Sequence, residues 1–172
     1  MLAAGAARRF GSPKQRLLLE PVLARVREAR SIAQVVVVAG AHELETDAAV
    51  VRCADWALGP GASLRCGLAT VAPEIEAAVV VLADGPRLAP AAIDRLAEAW
   101  RSGSGGLLAA AYGGERGHPV LIERSLWQTV PDEGARALPV DLIPCDDLGA
   151  PGDIDYLGDL PSGPERLSER DA

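Results

Sequence analysis

Three cationic side chains and two glycines crowd the first fourteen residues, Met1-Leu2-Ala3-Ala4-Gly5-Ala6-Ala7-Arg8-Arg9-Phe10-Gly11-Ser12-Pro13-Lys14. Glycine lets backbone N–H groups turn towards a ligand with no Cβ in the way. Successive N–H groups in such a loop form a concave anion site. Arg9, as a planar fork, and Lys14, as a mobile point charge, would then neutralise phosphate charge. The same composition also suits a basic N-terminus that binds nothing, and the stretch alone does not choose between the two. A second chemistry-bearing position is Asp84, delivered at the carboxyl end of the apolar run Ala77–Ala83. In an open α/β sheet that position is the mouth of the crevice. It suits Mg²⁺, which takes a few carboxylates plus phosphate oxygens; an Asp that caps a turn is the plainer alternative. Asp153 and Asp155 fall on one side of the chain if the segment is extended, and two carboxylates on one side suit a metal ion. His118 fits either of two roles: orienting a substrate or acting as acid or base near neutral pH, or hydrogen-bonding the turn made by Pro119. Ser63, preceded by Gly59 and Gly61, is a candidate N-cap, and the helix start it caps would either receive a ligand or simply be closed. His42 reads as a solvated loop residue.

These positions need elements to hold them. Leu19, Val22, Leu23, Val26 and Ala29 fall at helical spacing and predict an amphipathic helix over Leu17 to Arg30. Gln34 to Ala39 is a continuous β-branched run, the pattern of a strand covered on both faces. Ala48 to Cys53 and Ala77 to Ala83 are further strands, Pro90 to Trp100 is a helix, and Leu107 to Tyr112 is another strand. A short helix begins over Ser125 to Gln128. Strands alternating with helices predict a doubly wound, Rossmann-like α/β fold, with a mostly parallel sheet and helices on both faces. A phosphate loop normally leaves the end of a buried strand. Only Met1 to Ala4 precede Gly5, so the first strand is expected to be truncated or missing, or the start site misassigned.

At 172 residues the chain is expected to form one domain over residues 1–160, followed by a polar, frayed tail at 161–172 that bears Pro and Gly. Hydrophobic residues make up 49% and charged residues 24%, a globular balance. Aromatics are only 3%, so the core is built from Ala, Val and Leu. A net charge of -7 argues against a general nucleic-acid or membrane-surface role. Cys53, Cys66 and Cys145 are odd in number and lack CxxC spacing, which supports neither a disulfide framework nor a zinc site. They read as idle thiols in a reducing cytoplasm. No apolar run reaches the length of a membrane span, and the N-terminal apolar stretch is too short and too broken by charge for a signal peptide.

Several stretches, in order, resemble the MobA-like nucleotidyltransferases. Leu2-Ala3-Ala4-Gly5, followed by Arg9, Gly11, Pro13 and Lys14, resembles that family's loop LAAGxSxRxGxPK. Trp56, Gly59, Ser63, Leu64, Arg65, Gly67 and Leu68 are similar to a stretch of the cytidylyltransferase branch that helps hold the base and ribose. The guanylyltransferase branch has Pro-Leu-Ala-Gly wording there, so the resemblance leans towards CTP. Leu82-Ala83-Asp84-Gly85-Pro86 resembles Leu-x-Asp-x-Pro, whose Asp is a metal ligand; Gly85 stands where the family usually has Gln or a similar side chain. Gly113-Gly114-Glu115-Arg116-Gly117-His118-Pro119-Val120, after Tyr112, is similar to the branch's Tyr-Gly-Gly-x-x-Gly-His-Pro-Val. Asp132-Glu133-Gly134-Ala135-Arg136 resembles GDxGAR, with Pro131 replacing its first Gly. Asp153-Ile154-Asp155 resembles the start of DIDTPEDL, with Tyr156, Leu157 and Gly158 in place of Thr-Pro-Glu. Between Lys14 and the Val-rich strand, and between Gly40 and Trp56, the chain is several residues shorter than is usual in the family.

The resemblance implies Mg²⁺-dependent transfer of a nucleoside monophosphate, CMP from CTP rather than GMP from GTP, to a phosphate-bearing acceptor such as molybdopterin cofactor, with release of pyrophosphate. It implies a nucleotide site at Leu2, Ala3, Ala4, Gly5, Arg9, Gly11, Lys14, Gly61, Ser63 and Leu64, with Arg9, Lys14 and Asp84 catalytic. Asp84, Asp153 and Asp155 would hold the metal. His118 and Arg136 would face the acceptor, with Asp132 orienting Arg136; a surface ion pair is the plainer reading of the last two. A molybdoenzyme or its chaperone is an expected partner, and nucleic acid and membrane are not. Two other classes stay open: a flavin- or NAD(P)H-using oxidoreductase of the nicotine-blue oxidoreductase type, and a non-catalytic molybdenum-cofactor binding protein.

Overall fold

A computed structural model describes residues 1–6 and 15–152. Ten regular elements follow in chain order. They are β1 (Leu2–Ala3), α1 (Gln15–Glu28), β2 (Val36–Ala39), β3 (Ala49–Arg52), α2 (Pro60–Leu68), β4 (Ala77–Val80), α3 (Pro90–Arg101), β5 (Leu107–Tyr112), β6 (Glu115–Glu123) and β7 (Asp141–Pro144). Short 3₁₀ turns lie at Trp56–Leu58, Arg124–Thr129, Ala135–Ala137 and Asp146–Leu148. The strands form two ladders, β1-β2-β3 and β4-β6-β5-β7. β1 joins them into one sheet, because the Leu2 N–H donates to Val81 O at 2.8 Å and the Ala83 N–H to Leu2 O at 3.0 Å. The order is therefore β3-β2-β1-β4-β6-β5-β7, parallel except for β6.

Both faces of the sheet are covered, as the continuous apolar strands require. On one face α1 and α3 bring Val22, Val26 and Ile93 onto Val81, and Leu96 and Ala97 onto Leu108 and Leu121. On the other, Leu64 and Leu68 of α2 join Trp127 and Val130 over Val80, Ala109, Val120 and Ile122. The i, i+3/i+4 spacing of Ala92, Ile93, Leu96 and Ala97 puts all four on the buried side of α3, and Pro90 opens that helix at a position where its missing N–H is not needed. Burying each such Leu or Ile contributes roughly 1.5–3 kcal/mol. A core so low in aromatic residues depends on many of them.

Two sequence readings change here. Cys53, just after β3, and Cys66, in α2, form a disulfide with Cα atoms 5.7 Å apart. Spacing could not reveal it, because the pair forms when α2 folds back onto the sheet. Cys145 is a free, buried thiol, as expected. Ser63 is not the N-cap of α2. Gly59 takes that place, Pro60 starts the helix, and Ser63 lies buried inside it. Proline's fixed φ sets the start of the helix before a side-chain cap is needed.

β1 spans only Leu2–Ala3, and a cavity of about 260 Å³ lies between β2 and β4, beside Met1. The Met1 amine donates to Val36 O at 2.6 Å and Met1 O accepts from the Val38 N–H at 2.9 Å, whereas Leu2 makes both of its ladder bonds on the β4 side. Burial pushes the Met1 amine down to about 6 from its usual 8.0. A group depressed in this way gives stability that is full above about pH 8 and lost as pH falls through about 6, on the order of 2 kcal/mol. An engineered Val-Val-Val-Val extension ahead of Met1 would fill the cavity and move the amine into solvent. It is expected to raise Tm by roughly 3–8 °C and to flatten the dependence of Tm on pH between 6 and 8, both read by thermal melts across that range. An unchanged Tm would mean that added strand residues do not enter the cavity.

Candidate active site

The carboxyl ends of the parallel strands gather most of the expected residues at one edge. Continuing the register Leu2↔Leu82 puts Asp84 opposite Ala4, where the chain leaves β1 towards Gly5. Ala4 is buried and Gly5 exposed, so the loop emerges from the core at that point. The chain after β2 runs beside it. The Ala41 N–H donates to Ala4 O at 3.1 Å, and His42 Nε2 lies 3.1 Å from Ala6 O. His42 is therefore half-buried against the chain that leaves β1 rather than solvated, a placement with no signal in the sequence. Arg9, Gly11, Lys14, Asp153 and Asp155 lie outside the described residues.

Asp84 is half-buried and followed by the buried Gly85. A Cβ on Gly85 would sit 3.1 Å from Pro151 Cβ and 3.2 Å from Gly152 O, and the Arg87 N–H donates to Pro151 O at 3.0 Å. The Pro151–Gly152 strap thus lies directly over the residues after Asp84. This close approach is a physical reason for glycine where the resembling motif carries a larger side chain. Asp153 is the next residue in sequence. The strap is anchored upstream. Arg95 donates to both oxygens of Asp147, at 2.7 and 2.8 Å, and these bonds hold that carboxyl below its usual range. Asp146 Oδ1 accepts from the Gly113 N–H. Among the described residues no three His, Cys, Asp or Glu side chains cluster as a ready metal site. Asp84 fits a divalent cation as one hard oxygen donor that needs further carboxylates.

His118 lies in strand β6, not in a turn, just past the last β4–β6 pair Val80↔Val120. Its peptide bond to Pro119 is cis, and the β5–β6 register shifts between Ala109 and Ala111 beside it. Tyr112 Oη donates to His118 O at 3.1 Å. Burial pushes the Tyr112 phenol up to about 12, so it stays a donor at neutral pH.

The loop that carries Asp132 and Arg136 is built differently from the expectation. Asp132 pairs with Arg65 at 2.5 Å, and Arg65 also donates to Val130 O at 2.7 Å. Asp132 therefore anchors its own loop to α2 rather than orienting Arg136. Arg136 is exposed; its carbonyl, with those of Ala135 and Leu138, accepts from Arg116. Burial lowers the Arg116 guanidinium from its ordinary value. Arg65, which the motif reading placed in the base-and-ribose stretch, and Arg116, to which it gave no role, both tie this loop down. The same loop closes the helix start proposed as a ligand site, because the Gly61 N–H donates to Asp132 O at 2.9 Å. Gly61, Ser63 and Leu64 are all buried, Leu64 within the core.

With this geometry in place, the family can be read from comparison. The profile of the MobA-like NTP transferase domain matches residues 1–138. The chain belongs to that family. Its strand-end carboxylate and Gly-bearing loop are thus parts of a nucleotidyltransferase domain. The crystal structure of Rv0371c from Mycobacterium tuberculosis H37Rv is 28% identical, with a TM-score of 0.73 over 91% of this chain and 92% of that one. A homologue of it from Mycobacterium sp. strain JC1 is 26% identical, with a TM-score of 0.74 over 91% and 88%. A manganese complex of Rv0371c is 26% identical, with a TM-score of 0.63 over 84% and 85%. No curated protein matches the sequence of this transferase domain. None of its described helices is long and apolar enough to cross a membrane.

Proposed function

We propose that this transferase domain moves a nucleoside monophosphate from an NTP–Mg²⁺ complex, CTP in preference to GTP, onto a phosphate-bearing acceptor of the molybdopterin class, and releases pyrophosphate. The observation that carries this reading is the placement of the Ala4–Gly5 exit of β1 directly across the sheet register from Asp84. An anion-binding loop and a metal-binding carboxylate side by side at a sheet's carboxyl edge suit phosphoryl chemistry.

In this reading the backbone of Leu2, Ala3, Ala4, Gly5 and Gly11 cradles the triphosphate, and Arg9 and Lys14 neutralise its charge. Asp84, with Asp153 and Asp155, would hold the cation, which supplies charge neutralisation and polarises the α-phosphate. The manganese found in the Rv0371c complex supports a divalent-cation site in relatives of this chain. An acceptor phosphate oxygen attacks the α-phosphorus in line, the bond to the β-phosphate oxygen breaks, and pyrophosphate leaves. Positioning supplies most of the acceleration, since no covalent protein intermediate is needed. His118 and Arg136 face the acceptor side. The preference for CTP rests on the wording of the Trp56–Leu68 stretch. A molybdoenzyme or its chaperone would take the product, in the cytoplasm.

Titration calorimetry with Mg²⁺ and each of CTP and GTP, followed by a pyrophosphate-release assay with a molybdopterin acceptor, tests the proposal. CTP binding and release of pyrophosphate are expected. Binding of neither nucleotide would overturn it, and flavin absorbance in the purified protein would favour the oxidoreductase reading instead.

A further inference from the structure

The Cys53–Cys66 bridge closes the segment that carries the Trp56–Leu58 turn and the start of α2. One end, Cys53, is almost fully buried, and its N–H donates to Ala39 O at 2.8 Å, so it is fixed to the end of β2. The other end, Cys66, is half-exposed on α2. Between the anchors Gly61, Ala62, Ser63 and Leu64 are buried in α2, but residues 54–60 have little core of their own: Asp55, Ala57 and Leu58 are exposed, Leu58 by 65%. The segment's remaining support comes from the sheet behind it and from the loop that meets Gly61 and Arg65. Opening the bridge therefore removes a tether from the thinly packed residues 54–60, and local stability follows local packing. Cys145 is buried elsewhere, against Ala92 and Ala110, and offers no competing partner.

We propose that Cys53 and Cys66 form a reversible thiol–disulfide pair that sets the order of residues 54–60, and through it nucleotide affinity. The second part rests on the nucleotide reading above. The ligand class is a small disulfide or dithiol. In the reduced chain, the Cys66 thiolate attacks a small disulfide RSSR, forming a mixed disulfide and releasing one RS⁻, which is protonated to RSH. The Cys53 thiolate then attacks the Cys66 sulfur, closing the bridge and releasing the second RS⁻, also protonated. Two electrons pass from the protein to RSSR, and the two protein protons end on two RSH. A small dithiol reverses both steps, entering at the more exposed Cys66 sulfur. In a reducing compartment a bridge of this kind is a sensor rather than a permanent brace.

The test compares the full chain treated with oxidised glutathione and with dithiothreitol, using Cys66→Ser as a third sample. Thiol titration under denaturing conditions is expected to find one free cysteine after oxidation and three after reduction. Hydrogen exchange over residues 54–60 is expected to quicken about tenfold on reduction, and Cys66→Ser is expected to exchange like the reduced chain under both conditions. CTP–Mg²⁺ affinity is expected to fall about fivefold on reduction in the wild type and to be insensitive to redox state in Cys66→Ser. Three titratable thiols after oxidation, or equal exchange in the two forms, would overturn the proposal. Equal CTP affinity in the two forms would overturn its second part. If neither form binds CTP, the nucleotide reading fails, and the exchange data still decide whether the pair orders this segment.

Discussion

Replacing Asp84 with alanine is expected to lower nucleotidyl transfer by roughly 10³-fold, with the fold retained. The carboxylate sits at the end of the β4 crossover, half-buried, in register with the point where the chain leaves β1. In the proposed reading its oxygens serve as hard donors to the divalent cation that carries the triphosphate. Asp84→Asn separates charge from shape: it keeps the volume and a hydrogen-bond acceptor but lacks the charge. Both variants are expected to lose pyrophosphate release and to weaken Mg²⁺-dependent CTP binding, while Asn melts within a few degrees of the wild type. Transfer within threefold of wild type in a folded Asp84→Asn protein would remove Asp84 from the metal site.

Gly61→Ala is expected to destabilise the domain by about 2–4 kcal/mol, which in a chain of this size lowers Tm by roughly 5–15 °C. A Cβ there would lie 1.7 Å from Pro131 O, 2.8 Å from Pro131 C and 3.0 Å from Asp132 Cα. All three are backbone atoms, so no side chain can swing aside. The loop must move, and in moving it breaks the Gly61 N–H to Asp132 O bond and strains the Arg65–Asp132 pair. Gly103→Ala is the control. Its φ is +83°, but nothing lies within 4 Å of its Cβ position, so only backbone strain of about 1 kcal/mol is expected. If the two variants melted alike, the clash at Gly61 would be without consequence. Hydrogen exchange over residues 131–137 would show whether the loop is displaced.

Much of the architecture was legible because its signals are local. The helical spacing of Val22, Leu23 and Val26 finds α1, and the Val-rich run finds β2. The apolar run that ends at Asp84 places a carboxylate at a strand's end, and motif order brings the chain close to its family before any coordinate is known. His118 was legible as a residue but not as a place, because it lies within β6 rather than beside a turn. Asp132 was misassigned for a related reason. Its neighbour in sequence is Arg136, but its partner in space is Arg65, 67 residues away in the chain.

The sequence by itself determined the alternation of strands and helices, the Ala- and Val-rich core and the position of Asp84. Each follows from side chains within one element, where periodicity and propensity act. Only the tertiary structure decided that β1 welds two ladders into one sheet, that Cys53 meets Cys66, that His42 lies against Ala6, and that the Asp132 carbonyl closes the start of α2. These are meetings between elements. They depend on how helices settle on a twisted sheet, and no local pattern carries that information.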